Sequence, residues 1–153
     1  MRVNNKGNVV LRGLTREQDT SNDQTKKINV NDFAYNSGFR LVDFRISSEN
    51  KTASGETMGV VALSKDAVVS ADAWDWSNQQ QIGWASSDSQ STSIERDLFS
   101  VVDSSVVIVD EIYVFVHHAA SAASKVNYYM ELEPVDLKAY EYAMNYIQNK
   151  SQG

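Results

Sequence analysis

The residues with chemistry to offer are few: Asp72 and Asp75 around Trp74 in the run ADAWDW, the tryptophans Trp74, Trp76 and Trp84, and the adjacent pair His117 and His118. Two carboxylates at the right separation hydrolyse glycosidic bonds, but no second acidic cluster completes such a site here. The histidines are the only two in the chain. Side chains adjacent on a strand point to opposite faces, so both imidazoles reach one metal only if the chain turns there. No carboxylate stands at a ligand-like spacing, and strand-end histidines facing solvent are expected instead of a metal site. The loops hold no G-x-S-x-G elbow, no phosphate-binding glycine loop and no dinucleotide fingerprint. With no cysteine at all, thiol nucleophiles, thiolate zinc sites and disulfides are excluded. The expectation is a protein that is not an enzyme and uses no cofactor.

The tryptophans leave three readings open. Indole faces stack on sugar rings, but they also fill cores and subunit interfaces. Alternation within Trp74-Asp75-Trp76 puts both indoles on one face and the aspartate on the other. Two glycosylation sequons, Asn50-Lys51-Thr52 and Asn149-Lys150-Ser151, carry little weight without a signal peptide.

The elements that must position these residues read as β from Ile28 onward. Phe39–Ile46 places Phe39, Leu41 and Ile46 among apolar neighbours, with a phase break near Asp43 that reads as a bulge. A small, polar stretch over 47–56 is a loop. Met58–Leu63 is a short apolar run, a turn at Lys65-Asp66 precedes Ala67–Ala71, and Gln80–Ala85 is a further strand. Gly83 within it points to a bulge or a close backbone approach. Residues 86–93 are low-complexity and expected to be an exposed loop. Val106–Val109 and Ile112–Val116 give the strongest strand signals, and residues 117–124 join the latter to Lys125–Glu133. That last run alternates, with Val126, Tyr128, Met130 and Leu132 on one face, as in an antiparallel sheet packed on one side. Pro134 should close it and Asp136 should cap a helix over about 136–149, striped by Leu137, Tyr140, Met144 and Ile147. Seven to nine short strands and one helix read as an antiparallel β-sandwich or jelly roll with a helical appendage.

The chain of 153 residues suits one domain of residues 31–153 preceded by an arm of residues 1–30. The first thirty residues carry six Lys/Arg against three Asp/Glu, the remainder eight against seventeen. So polar a segment does not offset its ordering entropy, roughly 1–2 kcal/mol per residue. It is expected to extend and dock on a neighbouring subunit, because opposite fields steer encounter and fix register. Arg2, Lys6, Arg12 and Arg16 would make charge contacts, and Val9, Val10, Leu11 and Leu14 would anchor. Deleting residues 1–30 should then leave a folded body. The acidic body argues against nucleic acid, and no apolar run approaches a membrane span or a signal-peptide core.

The order Val106–Val109, Ile112–Val116, Asn127-Tyr128-Tyr129-Met130-Glu131-Leu132-Glu133, helix, and the ending Asn149–Gly153 resembles small virion structural proteins of marine tailed bacteriophages. Trp74-Asp75-Trp76 followed by Gln81-Ile82-Gly83-Trp84 is similar to the same group, and the likeness spans residues 38–153. The resemblance implies a β-rich, non-enzymatic virion component, made in the host cytoplasm and present in many copies. The expected function is capsid decoration, or cement: a homo-oligomer that contacts the major capsid protein or other virion subunits through its arm. A head–tail junction, tail or fibre-base component is the alternative within virions. A carbohydrate-binding module using Trp74, Trp76 and Trp84 is the alternative outside them.

Overall fold

A computed structural model describes residues 2–15, 23–30, 37–49, 55–88, 98–119, 125–136, 147 and 149–150. The protein is mainly β, with nine strands among the described residues: β1 (Arg2–Val3), β2 (Val9–Leu14), β3 (Asp23–Asn29), β4 (Ser37–Ser48), β5 (Glu56–Ala62), β6 (Gln81–Asp88), β7 (Leu98–Val102), β8 (Glu111–His118) and β9 (Val126–Asp136). They form two antiparallel sheets, ordered β1-β2-β9-β4 and β3-β8-β5-β6-β7. The pairing is nested: β2 with β9, β3 with β8 and β5 with β6. Between these, β4 lies beside β7, where the Ser100 hydroxyl donates to the Phe44 carbonyl at 2.5 Å.

One core lies between the sheets. Val9, Leu11, Leu41, Phe44, Ile46, Met130 and Leu132 from the first meet Val61, Ile82, Ile112, Val114 and Val116 from the second. The expected alternation of β9 is the reason: Val126, Tyr128, Met130 and Leu132 are buried, while Asn127, Tyr129, Glu131 and Glu133 face outward. The phase break in β4 is a bulge, with the register shifting between Leu41 and Asp43. Gly83 is a close approach: a Cβ there would stand 2.7 Å from Leu41 Cδ2.

Several expectations are corrected. The extended arm is not free, because its strands belong to both sheets. A turn at Asn4–Gly7 starts it, with Gly7 at φ 81° and the Asn4 side chain accepting from the amides of Lys6 and Asn8, both at 3.0 Å. Strand β2 then pairs with β9 along its length, and β3 with β8. Backbone pairing and a few buried apolar groups offset the ordering cost that the polar composition alone does not. Strands on the two sides of residue 30 are thus paired with each other in both sheets.

Val106–Val109 is not a strand; only Ile108 bridges, to Phe39. Pro134 does not end β9, which runs on to Asp136 opposite Ser37. Beyond Leu132 the strand has β4 on one side and no longer β2 on the other, the setting in which a missing N–H is tolerated. The helix over 136–149 is not supported. Its capping residue lies in a strand, 137–146 with Leu137, Tyr140 and Met144 fall outside the described residues, and of the described residues that follow, Ile147, Asn149 and Lys150 carry helical backbone.

Candidate functional site

Register builds the site. Asp23 pairs with His117, His117 with Met58, Met58 with Ser86 and Ser86 with Phe99, a single row running across all five strands of the second sheet on its outer face. The neighbouring row, Phe115, Val60, Trp84 and Val101, is apolar. An apolar outer face needs cover, and the β5–β6 connection (63–80) supplies it. Val68, Ala71 and Trp74 fold back onto Val60, Ala62, Trp84 and Phe115 as a second, smaller core.

Gln81 holds this connection in place, and the sequence alone did not single it out. Its side-chain oxygen accepts from the Trp84 indole N–H and the Asp75 amide, both at 3.0 Å, while its amide nitrogen donates to the Ala67 carbonyl at 2.9 Å. The Trp74 indole N–H donates to the Ala71 carbonyl at 2.8 Å, which fixes its ring. Trp74 stacks on Phe99 (centroids 5.5 Å, planes 29° apart), and Trp76 lies over the same ring (6.4 Å, 12°). Trp76 also meets Trp84 at 5.8 Å. The two indoles of Trp74-Asp75-Trp76 thus converge on Phe99, through a turn rather than a strand. Trp84 is buried, Trp74 half-buried, and Trp76 is 62% exposed.

Folding also brings an aspartate to a histidine. His117 Nδ1 is 3.0 Å from Asp23 Oδ1, and its Nε2 is 3.9 Å from Asp72 Oδ2. The Ser70 hydroxyl lies against Asp72 and 3.0 Å from Asp23 Oδ1; its one proton serves one carboxylate at a time. That hydrogen bond, with the nearby His117 adding to it, holds the Asp72 carboxyl below its usual range. The serine faces carboxylates and not the imidazole, so the nucleophile-to-base contact of an acyl-transfer triad is not made. Asp75 points elsewhere: Ser77 donates to it through both its hydroxyl and its amide, and its carboxyl is likewise held low. His118 corrects the expectation of solvent-facing histidines, being 1% exposed, and burial, with its neighbour His117, pushes its pKa down. No group of three ligand-type side chains suited to a metal occurs among the described residues.

Between loop and sheet lies an open cleft of about 750 Å³, walled by Trp74, Leu98 and Phe99 and carrying Glu56, Asp72 and Ser86 as its polar groups. Leu98 and Phe99 were not anticipated as site residues, although the uncharged run Leu98–Val102 is a legible strand signal.

The residues expected to serve the arm divide in two. Val9, Val10 and Leu11 are buried within this chain. Arg2, Lys6 and Arg12 are exposed, Leu14 is 41% exposed, and Arg16 lies outside the described residues. On the outer face of the first sheet Arg12 pairs with Tyr129, and Tyr129 with Arg45. These three line a groove of about 580 Å³. Arg45 Nε also holds Asp43 at 3.2 Å. Protein-family models, curated proteins and solved structures yield no match to the chain.

Proposed function

We propose that this protein is a non-enzymatic structural subunit of a virion, of the capsid decoration type, and that it docks through the outer face of its first sheet. The row Arg12, Tyr129 and Arg45 carries the reading. Two guanidinium groups flank an aromatic ring on a rigid three-strand platform, in a chain of net charge −6. Arginine and tyrosine are the residue types that anchor interfaces, and the fork of an arginine matches a carboxylate. The partner is therefore a carboxylate-rich face of a neighbouring subunit, and the acidic remainder of a second copy supplies one. Charge contacts first expected from a reaching arm are made instead by a strand already folded into the sheet.

The nested strand pairing supports a jelly roll: β2-β9-β4 facing β3-β8-β5-β6, with β7 at the seam between β6 and β4. That architecture is shared by viral capsid and lectin domains; the link is by analogy, since a fold does not fix a function. Extra contacts across subunit boundaries would stabilise a shell by mass action.

The test is quantitative mass spectrometry of purified particles, followed by add-back to particles stripped of the protein. Decoration requires copies on the order of hundreds, set by the symmetry of a closed shell; a dozen or fewer would favour a junction, tail or fibre-base role, and none would end the virion reading. Arg12→Glu with Tyr129→Ala should abolish add-back while the chain stays folded. Undiminished add-back would remove the docking face.

A further inference from the structure

We propose that the cleft over the second sheet is a saccharide-binding site that takes neutral oligosaccharides. It lies over the sheet opposite the one that docks and shares only Arg45, at the β4–β7 seam, with the docking row.

Three observations carry it. The aromatic wall is built and held: Trp74 is fixed by its hydrogen bond to Ala71 and stacked on Phe99, which also carries Trp76. Rigid ring faces beside open solvent are what the C–H faces of a pyranose stack on, and they lose little entropy in doing so.

Second, the charged groups of the cleft are acids alone. Glu56 and Asp72 can only accept when ionised, and Ser70 keeps Asp72 in its acceptor form by donating to it. Hydroxyl groups are donors that satisfy such acceptors, whereas phosphate, sulfate and carboxylate ligands are repelled. This charge disfavours nucleic acid and acidic glycans at the first hollow.

Third, the cleft is longer than one ring. A second hollow of about 200 Å³ shares Ser86, Leu98 and Phe99 with it and adds Arg45 at its far side. Phe99 is the common wall of both, so one chain of sugar units spans them.

The experiment is an NMR titration of the full chain with cellohexaose, mannohexaose, maltohexaose and xylohexaose, with polygalacturonate and choline as controls. Saturable shifts are expected for the Trp74 indole N–H and the amides of Leu98 and Phe99 with at least one neutral hexaose, and none with polygalacturonate. Trp74→Ala should abolish the response. Because Trp74 also covers the second core, Glu56→Gln, an exposed position, serves as the independent variant and should weaken binding at least about fivefold, the loss of one charge-assisted hydrogen bond. Silence with all four hexaoses, a response to choline in their place, or an unchanged affinity in both variants would overturn the proposal. Any of these outcomes leaves the docking face on the first sheet untouched, so the two readings fail separately.

Discussion

Asp23 and His117, 94 residues apart in the sequence, stand directly opposite each other in β3 and β8, with Oδ1 and Nδ1 3.0 Å apart. The contact ties the first polar segment of the chain to the β5–β6 connection, because Asp72 approaches the same imidazole from that side. It also explains why the N-terminal region is a working part of the fold.

Removing that region should therefore unfold the protein. Deletion of residues 1–30 takes away β2, β3 and the core residues Val9, Leu11, Ile28 and Val30, so circular dichroism should show no cooperative melt. The single changes separate the two faces of β2. Leu11→Ala, inside the core, should cost about 2–5 kcal/mol, while Arg12→Ala, on the surface, should stay within about 0.5 kcal/mol. Equal costs in urea unfolding would contradict this burial pattern.

The stack of Trp74 on Phe99 should be a measurable coupling. A double-mutant cycle with Trp74→Ala and Phe99→Ala should return about 0.5–1.5 kcal/mol of interaction energy. Simple additivity would mean that the connection is not held to β7 by these rings.

Gly83→Ala tests the packing between the sheets. The added methyl would meet Leu41, which is fully buried and has little room to move. A loss of about 1–3 kcal/mol is expected from overpacking, read as a lower urea midpoint with an unchanged slope.

Acidification should act through His118. Its folded pKa lies below the ordinary value of 6.5 because the ring is buried, so the unfolded chain takes up the proton first. The stability it contributes is whole above about pH 6.5 and is lost as pH falls through the lower, folded value. His118→Gln should flatten the melting temperature between pH 7 and pH 5 relative to the parent; an identical slope would assign the dependence to other groups.

A second acid-side effect should follow from Glu111. Lys27 Nζ at 2.9 Å, helped by the Tyr113 hydroxyl and by Lys150, holds its carboxyl below the ordinary 4.5. Its contribution is present above about pH 4.5 and fades as pH falls through the folded value. Glu111→Gln should remove that step from the acid limb of a stability curve measured down to pH 3.

What the sequence determined by itself is local. The period of two in β9 decided which side chains face the core, the phase break near Asp43 marked the bulge, and Gly83 marked the close approach. The absence of cysteine excluded whole classes of chemistry. Each of these is written in neighbouring residues, because side-chain alternation and backbone crowding act over one or two positions.

Only the tertiary structure decided partners. Nothing in residues 1–30 states that Leu11 will lie opposite Met130, or Asp23 opposite His117. Sheet pairing is chosen by the burial of both strands at once, and a one-residue slip would turn every side chain to the other face. The same rule governed the errors. Val106–Val109 has strong strand propensity but finds one bridge, and the polar arm has little propensity but finds β9 and β8. The aromatic cleft was half legible. Trp74 and Trp76 were visible as residues able to stack, but Phe99 and Asp72 joined them only when five strands came into register and the β5–β6 connection closed over the sheet.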